Sequence, residues 1–164
     1  MPIFPLRLCP QESYKERPRS FGSPRDKGAR KHAGCDLYAP AGTEVLAVED
    51  GKVIRGPYPF YDVVLALEVQ HPSGIVRYGE ISRAAEGIHA GAEVKAAQVI
   101  GYVGKMQTVA QSMLHFEMFH GLTNGEVAGP LTDRNHPPFM RRADLMDPTA
   151  FLDSCTEVTN NATT

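Results

Sequence analysis

Short apolar runs, none holding a helical period for long, are cut by glycine or proline along the whole chain. With 15 glycines and 13 prolines in 164 residues, helices of ordinary length have little room, because both residue types destabilise helix interiors. Short β-forming segments between turn residues point instead to an all-β protein. Its sheets are expected to be mainly antiparallel, joined by long loops with a few short helices. Val45-Leu46-Ala47-Val48 and Lys52-Val53-Ile54 flank Glu49-Asp50-Gly51, and Asp-Gly between β-formers predicts a hairpin. The β-rich stretches 63–69 and 75–78 flank His71-Pro72-Ser73-Gly74, a second hairpin whose turn is built by proline and glycine. Glu93-Val94 is a short strand in a loop-like stretch, and 99–103 is a further strand ending at Gly104. Over 114–119, Leu114, Phe116 and Met118 share one strand face, and His115, Glu117 and Phe119 share the other. Residues 120–142 read as a long loop. Asp147-Pro148 opens a short helix, with Asp147 as its N-cap.

The length suits one domain. An extended arm is expected over 1–27, in a stretch rich in proline, arginine and serine. The core follows over 28–121, then a loop and short C-terminal helix over 122–155, and a frayed tail over 156–164. Net charge is -2 with both signs interspersed, so no basic face argues for nucleic acid. No apolar run approaches the ~20 residues that span a bilayer. Met1-Pro2-Ile3-Phe4-Pro5-Leu6-Arg7 lacks the basic start and long apolar stretch of a signal peptide, so an extracytoplasmic role calls for another export route. Three cysteines, Cys9, Cys35 and Cys155, do not make a disulfide framework. Reduced thiols are expected, with a Cys9–Cys155 tie between the chain ends as the alternative. Cys35 precedes Asp36 and faces the other side of a strand, toward the core.

The residues that carry chemistry are His32 and Asp36, four apart, and the distant His115. Two imidazoles and one carboxylate form a normal ligand set for catalytic zinc and leave a fourth position open. Taken one by one, the three could equally be unrelated core or surface residues. Glu117, on the face of His115, suits a supporting hydrogen bond to that imidazole from behind or a solvated position. His71, beside a turn proline, is expected to be exposed.

The ordered set His32-x-x-x-Asp36, Ala39-Pro40-Ala41-Gly42-Thr43-Glu44-Val45-Leu46-Ala47, Asp50-Gly51-Lys52-Val53, Gly91-Ala92-Glu93-Val94-Lys95, Gln98-Val99-Ile100-Gly101-Tyr102-Val103-Gly104 and Leu114-His115-Phe116-Glu117 resembles the lysostaphin-type (LytM-like) zinc endopeptidases over about residues 28–121. The resemblance implies a compact antiparallel β fold with a groove and zinc on its floor. By motif position the ligands are His32, Asp36 and His115. The implied substrate is the peptide cross-links or stem peptides of bacterial peptidoglycan, cut in the periplasm or at the cell wall. Delivery through a secretion apparatus as an antibacterial effector, with an immunity protein as partner, and release through a holin as a phage lysis enzyme both fit.

Two family histidines are missing. Met113 stands where the first histidine of a His-x-His pair is usual, and Tyr78-Gly79-Glu80-Ile81 matches a Tyr-x-His-Leu string with Glu80 in the histidine's place. Either Glu80 is the general base of a working hydrolase, or the domain is a silent zinc-binding module that binds or regulates. An edge carboxylate paired with Arg77 or Arg83 is the structural reading of Glu80. Met113 is expected to pack at the groove wall. His120 stands in for a missing imidazole if the chain bends back. Tyr78 and Tyr102 are oxyanion donors or core. The segment 129–145 lies outside the minimal family domain. Its Arg141 and Arg142 suit carboxylate recognition or are ordinary surface charges.

Overall fold

A computed structural model describes residues 1–121 and 129–158. In chain order the strands are β1 (Pro24–Arg25), β2 (Arg30–Lys31), β3 (Cys35–Tyr38), β4 (Glu44–Leu46), β5 (Gly51–Pro59), β6 (Leu65–His71), β7 (Gly74–Ala84), β8 (Glu93–Val94), β9 (Val99–Val103), β10 (Met113–Phe119) and β11 (Leu145–Met146). A 3₁₀ turn, Asp26–Gly28, joins β1 to β2, and the helix α1 (Thr149–Ser154) follows β11. The fold is all-β and antiparallel. Among the described residues nine strands form one sheet in the order β11-β10-β7-β6-β5-β8, with β3 beside β10 and β9 linking β4 to β7.

The register decides which side chains meet. Residues directly opposite on neighbouring strands share a face. Cys35, Phe116, Tyr78 and Leu67 form one such row across β3, β10, β7 and β6. All four are fully buried in the main core, with Val45, Val69, Ile81 and Leu114. The rows on either side point the other way. Asp36, His115 and Gly79 form one, and Glu117, Arg77 and Glu68 form the other. The same sheet thus carries an apolar core on one face and a polar, chemically dense surface on the other.

The hairpin expected around Glu49-Asp50-Gly51 does not form. β4 pairs with β9, and β5 pairs with β6 and β8, because the partner strand is chosen by burial of the whole sheet rather than by its local turn. The second hairpin, β6–β7, forms around His71 to Gly74. His71 is buried, not exposed: Nδ1 meets the Asp50 carbonyl at 3.0 Å and Nε2 the Tyr78 hydroxyl at 2.9 Å. Pro148, not Asp147, occupies the cap position of α1. Asp147 lies one residue further out, where its Oδ1 accepts from both the backbone N–H and the hydroxyl of Thr149, at 2.9 and 2.6 Å.

The N-terminal segment packs on the body. Phe4, Leu6 and Tyr14 are buried in the main core, and Ile3 bridges to Thr156. Cys9, Cys35 and Cys155 are unpaired thiols. Part of the long loop expected over 120–142, namely 122–128, and the end of the expected frayed tail, 159–164, lie outside the described residues.

Candidate metal centre

Asp36 on β3 and His115 on β10 face each other across the ladder, and His32, just before β3, turns its ring toward both. Gly79 completes the row. A Cβ there would lie 2.7 Å from Phe60 and 3.3 Å from the His115 ring, so a side chain would push on Phe60 and crowd the imidazole. The structure brings the three separated residues together. His32 Nε2 is 2.9 Å from Asp36 Oδ1 and 3.2 Å from His115 Nδ1, and His115 Nδ1 is 2.8 Å from Asp36 Oδ1. All three side chains are buried.

The hydrogen bonds behind the rings fix their tautomers. His32 Nδ1 lies 2.9 Å from the Ser20 carbonyl, which can only accept, so Nδ1 carries the proton. His115 Nε2 lies 2.8 Å from Glu117 Oε1, so Nε2 donates to that carboxylate. As neutral imidazoles, both rings therefore aim bare lone pairs at one point shared with a carboxylate oxygen. Three acceptors 2.8–3.2 Å apart repel unless a cation joins them. Donors on a tetrahedral zinc with bonds of about 2.0–2.1 Å lie about 3.3 Å apart, so the set fits zinc with a slight expansion. A proton is the other cation that satisfies the point. Burial opposes charging His115, but hydrogen bonds to Asp36 and Glu117 outweigh it and push its pKa up to about 10. Burial holds the pKa of His32 below its ordinary value. Asp36 stays ionised well below the usual carboxylate range: burial works against this, and the two imidazoles overcome it.

Behind His115 lies a buried charge cluster. Glu117 is fully buried. Its Oε1 accepts from Arg141 Nε and Nη2 at 2.9 and 2.7 Å as well as from His115. Its Oε2 faces Arg77 Nε at 2.9 Å and Nη2 at 2.6 Å. Arg77 also donates to Thr132 Oγ1 and lies over the Phe60 ring, 4.7 Å from its centroid. Arg141, expected from sequence as a surface charge or a ligand for substrate carboxylate, is buried and spent on Glu117 and on the Tyr61 hydroxyl. Arg142 pairs with Asp144 at 2.7 Å.

Glu80 stands beside the three donors at an irregularity in β7. Gly79 pairs with Ala66 and His115, and Ile81 pairs with Leu65 and Val103. Glu80 between them has no cross-strand partner. This is a β-bulge, a device that re-aims a side chain. β7 also changes neighbour here, from β10 to β9. Glu80 holds φ at 63°, a left-handed conformation that costs a non-glycine residue about 1 kcal/mol or more and that clusters at functional sites. Neither structural pairing forms: Arg77 is held by Glu117, and Arg83 stacks on Tyr102. The Glu80 carboxylate meets no hydrogen-bond donor among the described residues. Burial pushes its pKa up to about 7, Asp36 adds to the rise, and the charges of His115 and Arg25 oppose it.

A cavity of about 340 Å³ opens over the centre, lined by His32, Asp36, His115, Glu80, Met113 and Arg25 among others. Met113 packs at its wall. His120 is exposed and lies outside it, and Tyr78 is core. Sequence reasoning missed Arg25 and Tyr61. Their nearness to the centre comes from long-range packing, and no local pattern signals it.

The family model of peptidase family M23 matches residues 30–129. The glycyl-glycine endopeptidase ALE-1 of Staphylococcus capitis is 26% identical over 113 residues, covering 68% of this chain and 30% of that protein. The chain thus spans less than a third of the length of the curated relatives it matches. The catalytic domain of the antimicrobial peptidase lysostaphin from Staphylococcus simulans has the same fold at a TM-score of 0.60, with 22% identity over 82% of this chain and 90% of that one. A zinc-containing peptidase from Vibrio cholerae aligns at a TM-score of 0.50 and 27% identity, over 68% of this chain and 35% of its own. With the family match extending over well more than half of its residues, this chain belongs to peptidase family M23.

Proposed function

We propose that the chain is a zinc-dependent endopeptidase acting on the peptides of bacterial peptidoglycan. The observation that carries the reading is the convergence of three lone pairs, from His32, Asp36 and His115, beside a buried carboxylate that meets no donor among the described residues. The lysostaphin-like relatives support the substrate. His32, Asp36 and His115 would hold the metal, and Glu117 orients His115 by accepting its Nε2 proton. Zinc held there would lower the pKa of a bound water and polarise the scissile carbonyl.

Glu80 is the base. Burial raises its pKa in the metal-free protein, which opposes the pull of a bound cation toward the carboxylate form and suits proton exchange near neutrality. It takes the proton of the attacking water as the new C–O bond forms and the carbonyl π electrons move onto oxygen. It returns that proton to the leaving nitrogen as the C–N bond breaks.

The test is release of soluble peptides from purified peptidoglycan. Release is expected from wild type with zinc, is expected to stop on chelation and return with added zinc, and is expected to be absent in His115→Ala. Full zinc loading with no release in wild type would overturn the hydrolase and leave a binding module.

Metal uptake itself should show a proton signature. Without metal His115 is protonated at neutral pH and above, since its pKa is raised to about 10, and a ligand imidazole must be neutral. Zinc binding at pH 8.5, above the Glu80 titration, is therefore expected to release about two protons, one from His115 and one from the water that zinc would acidify. Calorimetry in buffers of different ionisation enthalpy measures them. The sign also sets the pH trend: affinity falls as pH falls.

A further inference from the structure

We infer that Arg25 is a catalytic residue, the cationic donor that steadies the scissile carbonyl oxygen as negative charge develops on it. The inference rests on the hydrolase reading above. Amide hydrolysis passes through a tetrahedral oxyanion, and a donor fixed in advance where that charge appears is a large part of such catalysis. The groups that line the cavity leave few donors for the task. Met113 has no side-chain N–H or O–H. Arg141 is spent on Glu117 and Tyr61. Arg30 is paired with Asp26 at 3.0 Å. His32 and His115 commit their N–H groups to Ser20 and Glu117.

Arg25 remains. Its Nη2 donates to the Pro18 carbonyl at 2.8 Å and its Nη1 to the Pro24 carbonyl at 3.2 Å, which hold the guanidinium in place. Nη2 also reaches Asp36 Oδ2 at 3.4 Å, the carboxylate oxygen turned away from the point where Oδ1 meets the two imidazoles. This puts a full positive charge next to the reacting centre without occupying it. Nε and one N–H of Nη1 have no partner among the described residues, so two donors remain for substrate. The guanidinium charge also acts on Glu80 and on His32, a sign that it is close to both the base and the ligands. Arg25 is held by pairing with Arg30 across the β1–β2 turn. It precedes residues 30–129, which the family model matches.

The test uses the full chain loaded with zinc and soluble cross-linked muropeptides as substrate. In Arg25→Met, kcat is expected to fall about 10²–10³-fold, with KM and zinc affinity, read by competition with a chromophoric chelator, changed by no more than about threefold. Added guanidinium ion is expected to restore part of kcat in Arg25→Ala and none in His115→Ala. Three results would overturn the inference: a raised KM with unchanged kcat, which makes Arg25 a ground-state binder; a fall in zinc affinity that accounts for the lost activity, which makes it a support for Asp36; or unchanged kinetics. Wild type that binds zinc and cuts nothing defeats the hydrolase reading itself. Active wild type with an equally active Arg25→Met defeats this inference alone.

Discussion

Glu80→Gln is expected to lower peptide release about 10²–10⁴-fold, the range that a positioned general base contributes, while zinc affinity stays within a few-fold. Glutamine keeps the shape of the side chain and its place on the bulge but cannot take a proton. The pH profile gives a second reading. With zinc bound, a nearby dication favours the carboxylate, so the acid limb of wild-type activity lies at or below the value of about 7 that holds in metal-free protein. That limb is expected to vanish from the residual activity of the variant. Stability reads the same group independently. In metal-free protein the pKa of Glu80 is raised from 4.5 to about 7, so the fold favours the protonated acid. Stability from this group is fully present below about 4.5 and is lost as pH rises through 7, by about 3 kcal/mol. Metal-free Glu80→Gln should therefore melt higher than metal-free wild type at pH 8 and level with it near pH 4.5. Glu80→Gly relieves the positive φ as well, and is expected to gain about 1 kcal/mol while losing the activity. Unchanged peptide release in Glu80→Gln removes Glu80 from the mechanism and leaves the metal centre standing.

The convergence of His32, Asp36 and His115 was legible from the motif resemblance, and strand alternation alone puts His115 and Glu117 on one face. The β-forming runs read at 63–69, 99–103 and 114–119, bounded by glycine and proline, correspond to β6, β9 and β10 with ends shifted by up to two residues. The partner of each strand was not legible. Asp50-Gly51 carries a strong local turn signal, yet β4 joins β9, since Val45 and Leu46 are fully buried there and burial outweighs turn preference. The charges packed behind the ligands were hidden for a related reason. Arg141 reaches Glu117 from 24 residues away, and Arg25 reaches Asp36 from the other side of a turn. An arginine in a polar stretch looks the same in sequence whether it is solvated or buried on a carboxylate. Only the fully buried Glu117, which needs cationic partners to stay ionised, tells the two apart.

Glu117→Gln is expected to cost about 3–5 kcal/mol, the penalty for breaking a buried ion pair from one side, and to lower Tm by roughly 10 °C for a chain of this size. The amide cannot neutralise Arg77 and Arg141, and both guanidiniums are left buried with excess positive charge against His115. Zinc affinity is expected to fall about 10–100-fold, because the Nε2 proton of His115 loses the carboxylate that orients it. Acid response separates the charge from the packing. Burial opposes ionisation of Glu117, but Arg77, His115 and Arg141 hold its pKa well below the ordinary 4.5. Its stabilisation is present above about 4.5 and is lost as pH falls below that value, so wild type should lose stability on acidification more steeply than the variant. Replacing the whole cluster, as Arg77→Met with Glu117→Leu and Arg141→Met, should recover most of the lost stability, since a buried ion cluster is often no more stabilising than apolar residues of similar volume. It should not recover zinc affinity, because leucine offers His115 no acceptor. A triple variant that binds zinc as tightly as wild type would show that the cluster serves packing alone, and that neither arginine nor Glu117 belongs to the metal centre.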